Sequence, residues 1–327
     1  MSDSPGQVES AIFSSMPTLP HDLQVRPASP ADRPRLLQWI LSHDTEMQFE
    51  DPLVRELLAR HQRGLLSLDL LLQADSGGEN VGAAWGQVLA GRIGVIWPVR
   101  LLEGTSPQIG LALLDSIDAG FKREGVVLPV SLVDIETSES CLLHQQLLGM
   151  AGYQQQTTLQ VMSMPVKPST VELADPLKYQ ASADHLLLAT ILEQTEVESE
   201  DIPEIQGIRS GIDILATFEQ ETRGNSHAWY LVLHEGIQVG CLLLASQADQ
   251  RSCSIQYMGL RPEYRSRGWG CLLVRHALAW AHRQEASLIR LMVDSRNQRA
   301  IRLYQNCGLV AVREQQFWMH QSGTPEG

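Results

Sequence analysis

Short apolar runs alternate with longer stretches of helical periodicity along most of the chain, a pattern typical of a mixed α/β fold. Near the start, residues 23–27 predict a strand, and Ser29 predicts the N-cap of a helix with Pro30 in its first turn and Asp32 three residues on. A leucine-rich helical region is predicted to extend to Leu72. The remaining predictions for this half are strands at 80–89 and 92–97, a helix at 109–124, a strand at 126–133, a helix at 140–150 and a strand at 156–164.

The second half repeats this order of elements. It is predicted to contain a strand at 179–180, helices at 183–193 and 208–222, a hairpin of strands at 228–233 and 239–246, a strand at 253–260, a helix at 270–284, a strand at 288–293, a helix at 298–306 and a strand at 310–320. Residues 138–153 also echo residues 294–309, since each segment ends in a helix, a glycine and a hydrophobic residue. The repeat predicts two folds of one kind in tandem.

A polar, proline-bearing segment separates the two halves, and 327 residues are enough for two domains of ordinary size. The predicted organisation is a disordered tail at 1–20, a first domain at 21–165, a linker at 166–176, a second domain at 177–321 and a short tail at 322–327.

Composition and charge exclude several classes of function. Twenty-five Lys and Arg against 38 Asp and Glu give a formal net charge of -13, which opposes binding to nucleic acid. The sequence contains no apolar run of 18 residues and no basic, apolar leader at its start, so we expect no membrane partner and a cytoplasmic location. The five cysteines show no paired spacing and are expected to be reduced, buried thiols.

Residues 257–273 predict a strand, a glycine-bearing turn and the start of a helix. Within the turn, Arg265, Gly268 and Gly270 form the pattern Arg-x-x-Gly-x-Gly. Glycine permits positive φ and a close approach of main-chain amides to a ligand. The free N–H groups and the dipole of the following helix favour a pyrophosphate, and Arg265 and Arg267 add positive charge.

Two common phosphate-binding loops fit this segment poorly. A Walker loop ends in Gly-Lys-Ser/Thr, whereas this turn ends in Gly-Trp-Gly-Cys and supplies neither the lysine nor the magnesium-binding hydroxyl. A dinucleotide fingerprint requires an earlier glycine, where this chain has Arg265, Ser266 and Arg267.

The turn resembles the acetyl-CoA loop of the GNAT superfamily of N-acyltransferases, which follows a strand ending in hydrophobic-x-Pro. Leu260-Arg261-Pro262 supplies that ending. Residues 293–309 resemble the second signature of the family, with a strand, Asn297, a short helix containing Leu303-Tyr304, and Gly308 before a hydrophobic residue. The two motifs occur in the family's order.

This resemblance implies two tandem GNAT-like α/β (α+β) folds, each a mixed, mostly antiparallel central sheet flanked by helices. The layout is similar to that of the mycothiol-synthase type of double acetyltransferase. The first half departs from the pattern, because residues 101–110 contain no arginine and carry Glu103, which would repel a pyrophosphate. Leu148 and Cys141 stand where the second half has Tyr304 and Asn297. We therefore predict a degenerate first domain and a catalytic second domain.

The resemblance also implies site residues. Tyr304 would donate a proton to the departing thiolate, because a phenol stays protonated at neutral pH. Met258 and Leu260 would bind the pantetheine arm of acetyl-CoA through their backbone, and an amide near Leu260 would polarise the thioester carbonyl. The predicted cofactor-binding residues are Met258, Gly259, Leu260, Arg265, Ser266, Arg267, Gly268, Trp269, Gly270, Cys271 and Asn297. Trp269 is equally consistent with a packed aromatic residue, and no metal site is predicted, since no metal-ligand spacing occurs.

The sequence leaves the general base open. The strand before the loop offers Ser254 and Gln256 but no carboxylate, so a water chain or an acid from elsewhere must serve. An acidic run lies where this fold borders the acceptor site, and it predicts either a solvated face or selection of a cationic amine. Its members are Glu193, Glu196, Glu198, Glu200, Asp201 and Glu204.

The predicted activity is acetyl-CoA-dependent N-acetylation of a primary amine, on a small molecule or a peptide, by direct attack in the second domain. The alternative hypothesis is a non-catalytic acyl-CoA-binding or sensor module.

Overall fold

A computed structural model describes residues 19–42, 52–135, 138–167, 175–223, 225–247 and 251–320. The predicted tails at 1–20 and 322–327 and the predicted linker at 166–176 lie wholly or largely outside these residues.

The first half of the described chain forms seven strands and four helices. Its strands are β1 (Gln24–Pro27), β2 (Leu71–Ser76), β3 (Glu79–Leu89), β4 (Ile93–Ile96), β5 (Arg100–Leu101), β6 (Leu128–Asp134) and β7 (Tyr153–Pro165), and its helices are α1 (Arg33–Leu41), α2 (Pro52–Gln62), α3 (Pro107–Arg123) and α4 (Glu139–Met150). We call these elements the first unit.

The second half of the described chain forms six strands and four helices, which we call the second unit. Its strands are β8 (Leu177–Ala181), β9 (His227–His234), β10 (Ile237–Gln247), β11 (Ser252–Leu260), β12 (Leu288–Asp294) and β13 (Val310–His320), and its helices are α5 (His185–Glu196), α6 (Gly211–Thr222), α7 (Trp269–Arg283) and α8 (Gln298–Asn306).

Two predictions in the first unit are wrong. The first helix begins at Arg33 rather than after Ser29, because the Ser29 hydroxyl bonds Asp32 at both its carboxylate (2.7 Å) and its amide (3.3 Å) and closes a separate turn. The helical region also ends before Leu72, since Leu71 and Leu72 are buried in β2, which pairs with β3. A short apolar run fits a buried strand as well as a helix, and periodicity alone does not separate the two.

The strands form one sheet whose order is symmetric about its centre. It runs β1-β2-β3-β4-β6-β13-β7-β12-β11-β10-β9-β8, with β5 attached to β3. The pairs β4–β6 and β11–β12 are parallel and the others are antiparallel. The predicted fold class, a mixed and mostly antiparallel sheet flanked by helices, is confirmed.

The two units exchange their last strands, an arrangement that the sequence pattern does not predict. β7, from the first unit, pairs with every residue of β12, and β13, from the second unit, pairs with β6. β7 and β13 pair with each other at the centre of the sheet. Each unit therefore needs a strand of the other to complete its sheet.

A buried polar contact fixes the exchanged strand β7 to β12. Asp294, the last residue of β12, is fully buried, and the Thr157 hydroxyl of β7 donates a hydrogen bond of 2.7 Å to its carboxylate. Asp134, at the matching end of β6, accepts a hydrogen bond of 2.5 Å from Arg313 of β13. An acidic residue thus joins each unit to the strand that it receives.

The units also meet through the turn between β3 and β4, which packs on α6. The Gln220 side chain accepts a hydrogen bond of 2.5 Å from the Ala90 amide, and the Thr217 hydroxyl donates one of 2.7 Å to the Ala90 carbonyl. Arg92 forms an ion pair of 2.6 Å with Asp213. Together with the exchanged strands, these contacts between the β3–β4 turn and α6 join the two units at a second place.

Both units contain a parallel strand pair that separates after three residue pairs, β4–β6 in the first unit and β11–β12 in the second. In the first unit His144 of α4 lies across the opening. Its Nε2 is 3.0 Å from the Ser131 hydroxyl on β6, and its Nδ1 accepts a hydrogen bond of 3.3 Å from the Val99 amide beyond β4. The side chain is fully buried, so it fills the space between the strands.

We expect Thr157→Val to lower the free energy of unfolding by about 2 kcal/mol, because it leaves a buried carboxylate oxygen without its hydroxyl donor. Urea unfolding at pH 7 measures the change. Thr158→Val, on the same strand, is the control and should stay within about 0.5 kcal/mol of the wild type. Equal stability of the two variants would contradict a structural role for the Thr157–Asp294 hydrogen bond.

Because His144 is buried as a neutral group, we expect the protein to lose stability in mild acid. Burial, then the charge of Arg100, lowers the pKa of His144 to about 3, whereas the unfolded value is 6.5. Below pH 6.5 the unfolded chain therefore binds a proton that the folded chain does not, and stability falls by about 2 kcal/mol between pH 7 and pH 5 through this residue.

His144→Gln should remove that part of the pH dependence whatever its stability at pH 7, and urea unfolding from pH 7 to pH 5 measures the slope. His276→Gln is a second test of the same kind, because burial first lowers the pKa of His276 as well, to about 4, and this variant should also lose part of the slope. An unchanged slope in His144→Gln would show that His144 is not buried as a neutral group.

Candidate active site

A cleft of about 420 Å³ opens in the second unit where β11 and β12 separate. The two strands pair only from Ser252–Leu288 to Ser254–Arg290. On its other edge β11 carries a bulge at Gln256, because Tyr257 pairs with Leu243 and Ile255 pairs with Leu244 of β10. A bulge bends its strand locally, and this one lies two residues after Ser254, the last residue of β11 paired with β12.

Four segments line the cleft, and they include most of the predicted site residues. The lining includes Ile255, Gln256, Tyr257, Met258, Gly259 and Leu260 of β11; Arg265, Ser266, Gly268, Trp269 and Gly270 of the loop and α7; Leu291, Met292, Val293, Asn297, Arg299, Ala300, Leu303 and Tyr304 of β12 and α8; and Thr195, Glu198, Ser199, Glu200 and Asp201 beside α5. Of the predicted residues, Arg267 and Cys271 are not among them.

The glycine-bearing loop presents the start of α7 to the cleft. Gly268 is the N-cap of α7 in the left-handed conformation, with φ of 78°, and it supplies no side chain to bond the first amides of the helix. At the matching place in the first unit, the Ser106 hydroxyl caps α3 by accepting a hydrogen bond from Gln108, and Pro107 removes one amide. Only the loop of the second unit therefore leaves its helix N-terminus available to an anion.

Arg265 holds the loop against the end of α5. Its guanidinium donates hydrogen bonds of 2.7 to 3.1 Å to the carbonyl oxygens of Thr195, Val197, Glu198 and Leu260. These carbonyls terminate α5 and β11, so the arginine joins the loop to both. Arg265 lies in the loop, as predicted. Its side chain bonds the ends of α5 and β11, a structural role that the sequence does not indicate.

Arg267 and Trp269 pack together on the outer side of the loop. The Arg267 guanidinium lies 5.2 Å from the ring centres of both Tyr264 and Trp269, and it donates a hydrogen bond of 3.1 Å to the Glu263 carbonyl. Trp269 is 8% exposed and belongs to the core of the second unit. Trp269 is thus a packed aromatic residue that also lines the cleft.

Cys271 faces α8 rather than the cleft. Burial, followed by contact with the Cys271 thiol, raises the pKa of Cys307 to about 12. All five cysteines are free thiols. At the preceding residue, Gly270, a side chain would lie 2.8 Å from Leu303, so glycine here permits close packing of α7 on α8.

Sequence reasoning missed Arg299, which lies in the first turn of α8 and lines the cleft. Its guanidinium donates a hydrogen bond of 3.0 Å to the Ser266 hydroxyl of the loop, and no carboxylate in the described part of the chain pairs with it. It is a cation beside the free start of α7. The sequence feature that could have indicated Arg299 is its place two residues after Asn297, in the first turn of the helix that bears Tyr304.

Asn297 is the N-cap of α8, and its side chain accepts a hydrogen bond of 3.0 Å from the Ala300 amide. Ser138 has this capping role in α4 of the first unit, not Cys141 as the sequence echo suggests. The reason is that α4 begins about one turn earlier than α8, which shifts the correspondence at the start of the helix.

Tyr304 lies in the wall of the cleft and is 8% exposed. Its hydroxyl has no hydrogen-bond partner among the described residues. Burial first, and then the nearby Asp201 and Cys307, raises the pKa of Tyr304, so the phenol is protonated at neutral pH. A protonated and unpaired hydroxyl in the cleft can donate to a ligand.

Of the six acids in the predicted run, three line the cleft and three, including Glu196, do not. Glu198, Glu200 and Asp201 line the cleft. Glu193 instead accepts a hydrogen bond of 2.6 Å from the Gly211 amide, and Glu204 forms an ion pair of 2.6 Å with Arg296. The cleft is therefore acidic where residues 198–201 line it.

Asp294 organises the segment that carries these acids. Its carboxylate accepts hydrogen bonds from the Ile202 amide at 3.1 Å and from Arg296 at 2.7 Å, and its own amide donates one of 2.8 Å to Asp201. Burial opposes ionisation, but the hydrogen bonds from Arg296, Thr157 and Ile202 outweigh it and lower the pKa of Asp294. Ile202 is held at a φ of 41°, a backbone conformation that rarely suits a branched residue.

The described residues include no group of three His, Cys, Asp or Glu side chains placed to hold a metal ion. No helix among them is long and apolar enough to cross a membrane.

Comparison with known proteins gives a family match in the second unit and several structures of similar fold. Residues 193–309 match the model of the acetyltransferase (GNAT) family. A GCN5-related N-acetyltransferase from Sphaerobacter thermophilus has a similar structure, with a TM-score of 0.63 and 20% identity over 92% of this chain and 96% of that one. No curated protein sequence matches the chain.

Two further structures share the fold. A tandem GNAT protein from the clavulanic acid biosynthesis pathway has a TM-score of 0.60 and 14% identity over 93% of this chain and all of that one. A GCN5-related glucosamine N-acetyltransferase region of a fungal multi-domain β-N-acetylglucosaminidase has a TM-score of 0.61 and 13% identity, covering 91% of this chain and 38% of that one. The match to the acetyltransferase (GNAT) family thus lies in the second unit, and the chain as a whole has the fold of these structures, one of which is a tandem GNAT protein.

Proposed function

We propose that the second unit catalyses acetyl transfer from acetyl-CoA to a primary amine by direct attack of the amine on the thioester. The observation that carries this proposal is the cleft between β11 and β12, which combines unpaired strand edges with the uncapped start of α7. An extended, amide-containing arm that ends in a pyrophosphate is complementary to those two features. The partners would be acetyl-CoA and an amine acceptor on a small molecule or a peptide.

The loop residues would bind the pyrophosphate mainly through main-chain amides. Gly268 is the N-cap of α7, whose first turn begins with Trp269 and Gly270, and Arg299 adds charge from α8. Arg265 would act indirectly, since its hydrogen bonds to α5 and β11 hold the loop in place. Beyond the three paired residues, Met258 and Leu260 on β11 would bond the pantetheine arm as an added strand does.

Acetyl-CoA would supply an activated acyl carbon and a thiolate leaving group. Tyr304 would donate its proton to that sulfur, because its hydroxyl is protonated, unpaired and in the wall of the cleft. An amide of the β11 backbone near Leu260 would stabilise the negative charge that develops on the carbonyl oxygen. Asn297 would keep the start of α8, and with it Tyr304, in position.

The first unit would not turn over acetyl-CoA. His144 fills the opening between its parallel strands, and Ser106 and Pro107 occupy the helix start where a pyrophosphate would bind. Its role would be structural, since β7 supports β12 along its whole length. We therefore expect one acetyl-CoA site per chain.

The acetyl-CoA site can be tested with Gly268→Asp, which places a carboxylate at the start of α7. A side chain at this position meets no atom within 4 Å, so the fold should persist despite the backbone strain. We expect acetyl-CoA affinity to fall by about tenfold to a hundredfold, the equivalent of losing one or two charge-assisted hydrogen bonds. Isothermal titration calorimetry measures the affinity and should give one site in the wild type.

Gly125→Asp is the matched control, because Gly125 also has positive φ and open surroundings but lies in the first unit, after α3. It should bind acetyl-CoA as the wild type does. Undiminished binding by Gly268→Asp, or two sites per wild-type chain, would contradict the proposed location.

Tyr304→Phe removes only the phenolic hydroxyl. If Tyr304 protonates the thiolate, kcat should fall by about 100-fold or more, while acetyl-CoA affinity stays unchanged. Release of free thiol can be followed with an amine panel of glucosamine, spermidine and a lysine-containing peptide. Tyr230→Phe, on β9, should retain full activity. Tight acetyl-CoA binding by a wild-type protein that acetylates none of these amines would favour the acyl-CoA-binding module instead.

A further inference from the structure

Among the acids at 198–201 that line the cleft, Asp201 has a carboxylate that is held in place by a hydrogen bond. We propose that Asp201 is the general base, which accepts a proton from the acceptor's ammonium group before the amine attacks. This assignment rests on the proposed function and supplies the base that β11 lacks.

The position of Asp201 is set by its backbone and its side chain. Its amide donates a hydrogen bond of 3.2 Å to the Ser199 hydroxyl, and its Oδ1 accepts one of 2.8 Å from the Asp294 amide. Asp294 is itself buried and bonded to Thr157 of the exchanged strand β7. Asp201 is thereby fixed to the end of β12. The residue is nevertheless exposed, and it lines the cleft.

Asp201 lines the same cleft as the proposed acid, Tyr304, and as Tyr257 of β11. It accepts its hydrogen bond from Asp294, three residues before Asn297, which caps the helix that bears Tyr304. After burial, the charge of Asp201 raises the pKa of Tyr304. The Tyr304 hydroxyl is unpaired and its residue more than nine-tenths buried, which independently indicates that a ligand atom completes this part of the cleft.

The other polar groups of the cleft are less suited to take the proton. Glu198 and Glu200 line it, but no side-chain hydrogen bond among the described residues fixes either of them. The Gln256 amide is not basic, and it donates to the Phe218 carbonyl. The Tyr257 hydroxyl is bonded to Thr195 at 2.8 Å.

Several charged groups face Asp201 and set its basicity. Surrounding protein, which excludes solvent from the inner side of the carboxylate, raises its pKa, and the charge of Asp294 acts in the same direction. The hydrogen bond from the Asp294 amide, the charge of Arg296 and contact with Asn297 oppose this change. The net result is a raised pKa, which makes Asp201 a stronger base than an ordinary aspartate while leaving it able to release the proton to water.

The step balances in atoms and charge. Asp201 takes one proton from R–NH₃⁺, and the nitrogen lone pair forms a C–N bond to the thioester carbonyl carbon. The C–S bond then breaks with its electron pair on sulfur, Tyr304 gives its proton to that sulfur, and the phenolate recovers a proton from the nitrogen. Asp201 finally releases its proton to solvent. The products are an N-acetyl amide, a free thiol and one proton.

The two residues would act in sequence because they interact electrostatically. While Asp201 is charged, it raises the pKa of Tyr304 and keeps the phenol protonated. Once Asp201 has accepted the amine's proton, that effect is gone, and Tyr304 becomes a stronger acid when the thiolate needs its proton.

Asp201→Asn tests the assignment, because the amide oxygen of asparagine can still accept the hydrogen bond from Asp294. Glu219→Gln is the control, since it removes one charge from an exposed residue of α6 in the same unit that does not line the cleft. The assay uses acetyl-CoA and whichever of glucosamine, spermidine or the lysine peptide the wild type acetylates best. We expect kcat to fall by about 100-fold or more in Asp201→Asn and by less than about threefold in Glu219→Gln.

Two further readouts separate a base from a structural residue. The wild-type rate should fall at acid pH as Asp201 becomes protonated, and that limb should be absent in Asp201→Asn. Calorimetry should give wild-type acetyl-CoA affinity for the variant, but about tenfold weaker binding of the same amine to the CoA-loaded protein, because one charge-assisted contact is lost.

The outcomes distinguish the two proposals. An active wild type with an equally active Asp201→Asn, or with the acid limb retained in the variant, overturns the assignment of Asp201 alone. A variant that loses acetyl-CoA binding also overturns it, since Asp201 would then be structural. A wild type that binds acetyl-CoA but acetylates no amine overturns the proposed function, and the role of Asp201 with it.

Discussion

The short parallel contact between β11 and β12 is the constraint on which the rest of the site depends. Three residue pairs join the strands before they separate. Each strand is nevertheless held on its outer edge, β11 by β10 and β12 by β7. The cleft is therefore a gap between two firmly supported strands. Because their unpaired edges face each other, an extended ligand can bond to either one without the sheet having to open.

The symmetric sheet makes the differences between the units informative. Both contain a strand pair that separates after three residue pairs, and both contain an arginine that bonds the end of a helix, Arg100 on α1 and Arg265 on α5. Both units therefore keep the separating strand pair and the arginine. They differ in the space between the strands, since His144 fills the opening of the first unit while that of the second unit remains open. The first unit still contributes to the second site through β7, because Thr157 bonds Asp294 and Asp294 orders the acidic segment.

Features written in neighbouring residues could be predicted from the sequence, and features that depend on distant contacts could not. The order of elements, the glycine turn at Gly268 and the helix that bears Tyr304 are local patterns, and the structure contains all of them. The exchange of β7 and β13 joins residues more than a hundred positions apart, so no local pattern indicates it. The same holds for Arg265, whose partners at the end of α5 lie about seventy residues earlier. It also holds for Asp201, which differs from the other acids of the cleft by its hydrogen bond to Asp294.

The function proposed for the second unit requires the acyl donor to bind in its cleft. A crystal structure of the full chain grown with acetyl-CoA measures where the donor binds. We predict one molecule per chain, with its pyrophosphate against the amides at the start of α7, its arm between β11 and β12, and its thioester near Tyr304. A molecule bound between β4 and β6, with His144 displaced, or one that leaves the cleft of the second unit empty, would contradict it.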